Sequence, residues 1–265
     1  YLKNEINKSL MMLTTYHTHV FPIRKRNYLN LKNVILDNEI LQKPTYDHSG
    51  VTGRTSIKQG FNFLTLKKEK RKYLKPENKD KVLVEMDFKS CEPFFYLKSQ
   101  GFDIQSNDVY EWLANKYGIN FNNRPRIKRG ILSMIYGANE YTISKIMKIK
   151  ESKILDIKKD LKITHLKKTL ENQFDKNNFI CNYYGRPITS NNNLVNYWIQ
   201  SSAVDYCSLT FESFCRENNI IPSFFIHDSM TFEIEKDKLA LLKQNKRIKD
   251  PISLIEIPVE YTILS

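Results

Sequence analysis

The clearest hydrophobic pattern in the chain is strict alternation over residues 82–88, VLVEMDF. Val82, Val84 and Met86 fall on one side of an extended strand, with Leu83, Glu85 and Asp87 on the other. The second side turns acidic toward its end. Two further apolar runs, SFFIHD and MTFEIE, predict short strands bracketing Asp228 and Ser229, and SLIEIPVEYTI predicts a final strand. Between these strands the pattern is helical. Helices are expected from Glu92, over about Asp108–Tyr117, over the stretch beginning RPRIKRG, after Asn139, across 151–177 and across 194–218. Asn122 or Asn123 can cap the RPRIKRG helix, Pro125 suits its first turn, and Gly137 can end it. FICNYYGRPITS, residues 179–190, reads as a hairpin around Gly185. Residues 45–66 read as turns with short strands. The order of strand, helices, hairpin and strand predicts an α+β fold, an antiparallel sheet with a helical insertion.

Bulk composition narrows the class. A length of 265 residues suits one large or two modest domains, and 41% hydrophobic with 12% aromatic residues argues against disorder. No apolar run is long enough to span a bilayer, so no membrane partner is expected. The four cysteines, Cys91, Cys181, Cys207 and Cys215, lack metal-finger spacing and fit a reducing compartment. The first residue is Tyr1, so residues upstream, with any organellar targeting signal, are expected to be missing. A net charge of +13 favours a polyanionic partner, nucleic acid first. The run KKEKRKYLKPENKDK reads either as a solvated loop or as a contact to backbone phosphates.

Two aspartates carry the candidate chemistry. Asp87 ends one strand and Asp228 sits at the bend of a strand pair. If those strands are neighbours, the carboxylates meet, and divalent cations remove the cost of that meeting. Arg124, Lys128, Leu132 and Tyr136 recur every four residues along one helical face. The two cations lie at its N-terminal end, where the helix also favours anions. Such a face can hold a triphosphate, with sugar and base further along.

Six short segments, in order, resemble the polymerase module of family A DNA polymerases. They are TGR with GFNF at 52–63, DFKSCE at 87–92, RPRIKRGILSMIYG at 124–137, YYGR at 183–186, NYWIQSSAVDY at 196–206 and IHDS at 226–229. The resemblance covers about residues 45–235. It implies a right-hand architecture with an antiparallel palm sheet, helical fingers and a largely missing or reduced thumb. The corresponding parts are residues 1–44 as an N-terminal segment or thumb remnant, 45–100 and 191–265 as palm, and 101–190 as fingers. It implies primer-dependent, template-directed DNA synthesis from dNTPs, with two Mg2+ ions (Mn2+ as a substitute) held by Asp87, Asp228 and the carbonyl of Phe88.

Other roles follow from the same resemblance. Arg124 and Lys128 bind the triphosphate, and Lys128 protonates the leaving pyrophosphate. Tyr110 lies near the phosphates, Tyr136 guards the template base and Glu92 rejects the ribose 2′ hydroxyl. Arg54, Asn62, Arg186, Asn196, Gln200 and His227 contact primer–template DNA. Leu132 stands where an aromatic residue is usual, Ser229 where a second acid is common, and Asn192 where an arginine is frequent. The short chain implies either upstream thumb and proofreading parts or a processivity factor or replisome proteins as partners. The compact GFNF and CEP wording suggests a phage source and a host-cytoplasmic location. Two alternatives are a single-subunit RNA polymerase, whose second motif also reads HDS, and a non-catalytic nucleic-acid module. Glu92 argues against the first, and the presence of both aspartates against the second.

Overall fold

The computed structural model describes residues 2–27 and 30–265. In chain order the helices are α1 (Leu2–Thr15), α2 (Phe21–Asn27), α3 (Cys91–Ser99), α4 (Val109–Lys116), α5 (Arg124–Ile135), α6 (Glu140–Met147), α7 (Glu151–Asp160), α8 (Ile163–Asn177), α9 (Leu194–Glu217) and α10 (Leu239–Gln244). The strands are β1 (Val34–Leu36), β2 (Glu39–Ile40), β3 (Thr45–Asp47), β4 (Ser56–Gln59), β5 (Leu74–Pro76), β6 (Lys81–Phe88), β7 (Ile180–Cys181), β8 (Pro187–Ile188), β9 (Pro222–Ile226), β10 (Ser229–Glu235), β11 (Arg247–Lys249) and β12 (Glu256–Ile263). The chain divides into two compact units. One comprises the residues up to Leu13 with Ser90–Ala203, the other Thr14–Lys89 with Val204–Ser265.

The second unit is built on a five-stranded antiparallel sheet in the order β11-β12-β6-β10-β9. Neighbours β6 and β10 are distant in sequence because the helical insertion separates them. Period-two alternation puts Leu83, Glu85 and Asp87 on one face, as expected from the sequence. The adjacent apolar side chains of that face, Leu83, Phe224 and Ile226, form a buried cluster with Val34, Phe63 and Leu74. The Phe63 and Phe224 rings stack at 4.0 Å. On the opposite face Phe88 lies 5.3 Å from both Tyr206 and Phe211 of α9, and Phe214 lies 5.7 Å from Phe232. A sheet packed on both faces explains why VLVEMDF is almost wholly buried despite its alternation.

The first unit is helical. Gly130 of α5 sits against Met147 of α6, and a Cβ there would come within 2.1 Å of the Met147 side chain. The region 151–177, expected to be helical throughout, is interrupted. Lys162 adopts a left-handed φ of +61° between α7 and α8. Tyr96 of α3 donates its hydroxyl to the Leu161 carbonyl at 2.7 Å, so the break satisfies a buried phenol. β7 and β8 flank the YYGR turn, where Gly185 has φ +91°. A Cβ on Gly185 would meet the Met12 carbonyl oxygen at 1.7 Å, so only glycine fits beneath α1.

Candidate active site

The acidic end of the sheet is set by strand register. Asp87 pairs with Ser229 of β10 on one side and Glu260 of β12 on the other. His227 and Asp228 form the two-residue turn joining β9 and β10. His227 has φ +53°, the left-handed backbone that tight hairpins require. The Phe88 amide donates to the Asp228 carbonyl at 3.1 Å, tying the turn to the end of β6. The two carboxylates therefore belong to one local site. Burial, followed by the charges of Asp228 and Glu85, pushes the Asp87 carboxyl up to about 7, while Lys68 and Arg71 oppose that rise. Ser229 turns its hydroxyl to the Ile226 carbonyl at 3.0 Å and is buried. An acid at 229 would stand directly opposite Asp87, so serine spares the site a further negative charge.

His227 accepts a hydrogen bond from Arg54 Nε at its Nδ1, 3.2 Å away. That contact needs an unprotonated Nδ1, and burial together with Arg54 and Arg71 holds the imidazole below its ordinary range. Arg54 follows Gly53, whose carbonyl accepts from the buried Arg24 guanidinium. Arg24 also pairs with Asp205 at 2.9 Å and approaches the His48 ring at 3.3 Å. Burial, then Arg24, pushes His48 down to about 4. The TGR turn is thus anchored from beneath while Arg54 itself is exposed. Asn62 is exposed at the start of a short helical turn and makes no side-chain cap.

The first unit gathers the nucleotide-side candidates. Asn123 caps α5 through a 3.1 Å bond from the Arg126 amide, and Gly137 ends it with φ +83°. Arg124 and Lys128 are exposed, 5.5 and 5.8 Å from the centre of the Tyr110 ring. Tyr110 is buried, which raises its phenol pKa, and its hydroxyl bonds the Ser90 side chain. Glu92, half-buried in the first turn of α3, lies within electrostatic reach of the same phenol. Leu132 and Tyr136 are half-buried further along, Tyr136 at the C-cap rather than within the helix.

Asp108, which sequence reasoning placed only as a helix start, has two jobs here. Its Oδ1 caps α4 by accepting from the Tyr110 and Glu111 amides, and its Oδ2 accepts from Arg124 Nε at 2.7 Å.

The remaining candidates lie around α9 and the YYGR turn. Asn182 binds Ser201 of α9 at 2.9 Å and accepts from the Tyr184 and Arg186 amides, fixing the turn that carries Arg186. Asn196 has a buried Oδ1 with no partner among the described residues. Gln200, one helical turn on, is half-buried.

Among the described residues no cluster of three or more His, Cys, Asp and Glu side chains forms a ready-made metal site. Two carboxylates and the Phe88 carbonyl still fit Mg2+, which favours one or two carboxylates with waters and substrate phosphates. Burial first, and then the charges of Asp228 and Glu85, disfavour the ionised Asp87 carboxylate, and a bound cation would offset both. No described helix is long and apolar enough to cross a membrane.

No family model matches the chain, and no curated protein does. Among solved structures it is similar to the POL domain of Pol1 from M. smegmatis, determined in complex with DNA primer-template and dNTP. The TM-score is 0.57 at 15% identity, over 91% of this chain and 49% of that one. The chain therefore has a polymerase-like fold, mixed α/β with antiparallel sheets. It spans about half the length of that neighbour.

Proposed function

We propose that the chain is the catalytic module of a family A DNA polymerase, extending a primer on a template by nucleotidyl transfer from dNTPs. The observation that carries this reading is the β6–β10 register, which sets Asp87 beside the His227–Asp228 turn. The structural neighbour supports it, since that protein was solved with primer-template and dNTP.

In this reading the second unit supplies the palm sheet and the helical insertion the fingers. Asp87, Asp228 and the Phe88 carbonyl hold Mg2+, which when bound lowers the pKa of the attacking 3′ hydroxyl and offsets charge on the transferring phosphate. Arg124 and Lys128 orient the triphosphate, and Lys128 delivers a proton to the departing pyrophosphate. Arg54 and His227 present a paired guanidinium and imidazole to the primer end. Asn196, with its unmet acceptor, suits a donor on the minor-groove edge of the duplex, where guanine offers its amino group. Glu92 occupies the space of a ribose 2′ hydroxyl. Primer extension with dNTPs and NTPs, comparing wild type with Asp228→Asn, tests the reading. Extension with dNTPs by wild type alone supports it. Preference for NTPs would favour an RNA polymerase, and no extension with intact DNA binding would favour a non-catalytic module.

A further inference from the structure

The basic run at residues 67–72 is neither a free loop nor a simple surface helix. It forms a short helical turn, Lys68–Tyr73, leading directly into β5. One buried acid holds the turn against the sheet, and a second anchors the chain just after β5. Glu85, only 3% exposed, pairs with Arg71. Glu233, 6% exposed, accepts from the Glu77 amide at 2.6 Å and pairs with Lys32 at 3.4 Å. Both acids lie on the Asp87 face of the sheet, since Glu85 is two residues from Asp87 and Glu233 pairs with Leu83. Arg71 Nε also reaches the Leu66 carbonyl at 3.5 Å. The outer side of the turn is left mainly cationic: Lys67, Lys68, Lys70 and Lys72 are exposed beside a single exposed acid, Glu69, and Lys72 lies 5.2 Å from the ring of Tyr73, itself 54% exposed.

A buried carboxylate within two residues of a candidate metal ligand raises the repulsion there, so its presence calls for a compensating role. The Glu85 Oε2 atom has no hydrogen-bond partner among the described residues, which adds a desolvation cost. A hydrophobic residue would serve the core better at this position.

We propose that Glu85 is a positioning residue: by latching Arg71 it holds the Lys67–Tyr73 turn as a phosphate-binding rim for the nucleic-acid strand whose 3′ end lies at Asp87 and Asp228. The proposal rests on the polymerase reading for the identity of that strand. Lysines tethered through one buried pair meet successive phosphates without losing the conformational freedom that a loose loop would lose on binding.

The test uses fluorescence anisotropy on a primer–template duplex in EDTA across a salt series, so that chemistry does not enter. The triple variant Lys68→Ala, Lys70→Ala, Lys72→Ala is expected to bind about tenfold more weakly, with a salt slope smaller by about 2 to 3. Glu85→Gln carries the sharper expectation. Removing a negative charge from beneath the rim would ordinarily tighten binding of a polyanion, whereas loss of the latch weakens it, here by about threefold or more. Amide hydrogen exchange across residues 66–77 should quicken in the same variant. The double variant Glu85→Met with Arg71→Met, which leaves no unpaired buried charge, should show the same faster exchange even if Glu85→Gln folds poorly. Unchanged or tighter binding by Glu85→Gln, or unchanged exchange in the double variant, overturns the latch. If wild type binds and extends the duplex but these variants behave as wild type, only the latch fails. If wild type does not bind the duplex at all, the polymerase reading fails and the latch with it.

Discussion

Asp87 stands directly opposite Ser229 in the antiparallel register of β6 and β10, and the Phe88 amide holds the carbonyl of Asp228 at 3.1 Å. Strand pairing, not a local motif, brings together two acids that are 141 positions apart (228 − 87). Loss of either acid should lower primer extension by about 10³-fold or more, a barrier increase of about 4 kcal/mol. Duplex affinity in EDTA should not fall. Single-turnover extension beside anisotropy separates the two effects, and retained extension in Asp228→Asn would remove that residue from the chemistry.

Burial of Asp87, and then its closeness to Asp228, has a cost in the metal-free protein. The Asp87 carboxyl titrates near 7 when folded against the usual 3.8. Between those values the folded state keeps a proton that the unfolded chain has released. Stability from this group therefore declines as pH rises from about 4 to about 7, then levels off. Asp87→Asn should melt higher than wild type at pH 8 in EDTA, by a margin that vanishes near pH 4. Mg2+ should narrow the gap by stabilising only the wild type. Equal melting temperatures at pH 8 would show that the ionised Asp87 carboxylate carries no such cost.

Glu92 lies in the first turn of α3, beside the Ser90–Tyr110 contact. Glu92→Ala should raise ribonucleotide incorporation relative to deoxynucleotide, by about tenfold or more if steric exclusion is its role. Single-nucleotide extension at matched concentrations gives the ratio. An unchanged ratio would leave Glu92 as a favourable charge at a helix start and no more.

Asp108 offers a test in which capping and ion pairing separate. Asp108→Ala removes both and should destabilise the protein by about 1 kcal/mol. Asp108→Asn keeps a competent cap and loses the charge facing Arg124, an exposed pair worth less than about 1 kcal/mol. The asparagine variant should therefore unfold close to wild type while altering KM for dNTP, because Arg124 is no longer held by an anion. Matching effects of the two substitutions on stability would contradict this division.

Leu132 lies on the α5 face with Arg124 and Lys128 but carries neither an aromatic ring nor a hydrogen-bond donor. Leu132→Tyr is expected to increase chain termination by dideoxynucleotides, read from product ladders at fixed dideoxy-to-deoxy ratio. A ladder identical to wild type would argue against contact between this position and the sugar.

Features encoded by spacing of two or four residues could be read from the chain itself. The VLVEMDF alternation, a cap at Asn122 or Asn123 (the structure uses Asn123), the Gly137 stop and the Arg124–Lys128 stripe all depend on near neighbours. Partnerships made by topology were harder to read: the meeting of Asp87 and Asp228 was expected only if their strands are neighbours, and others gave no signal. Arg24 and Asp205 meet across 181 positions, and Arg71 with Glu85 or Glu77 with Glu233 depends on how a loop lies over a sheet. The KKEKRK run shows the limit well: composition reveals its charge but not the one arginine turned inward. The break at Lys162 was hidden because lysine is a good helix former, and what accompanies the interruption is tertiary: the buried Tyr96 phenol on the Leu161 carbonyl and Lys162 Nζ on the Gln100 carbonyl at 2.8 Å.

Tyr46 closes the outer margin of β9: its hydroxyl accepts from the Phe225 amide at 2.7 Å and donates to the Phe225 carbonyl at 2.8 Å. One phenol thereby occupies the donor and acceptor that a foreign strand would need to dock there. It also resists slippage of the hairpin by a single step, which would turn every side chain of β9 to the wrong side and carry Asp228 away from Asp87. A residue remote from any reacting atom thus guards both the solubility of the sheet and the alignment on which its acids depend.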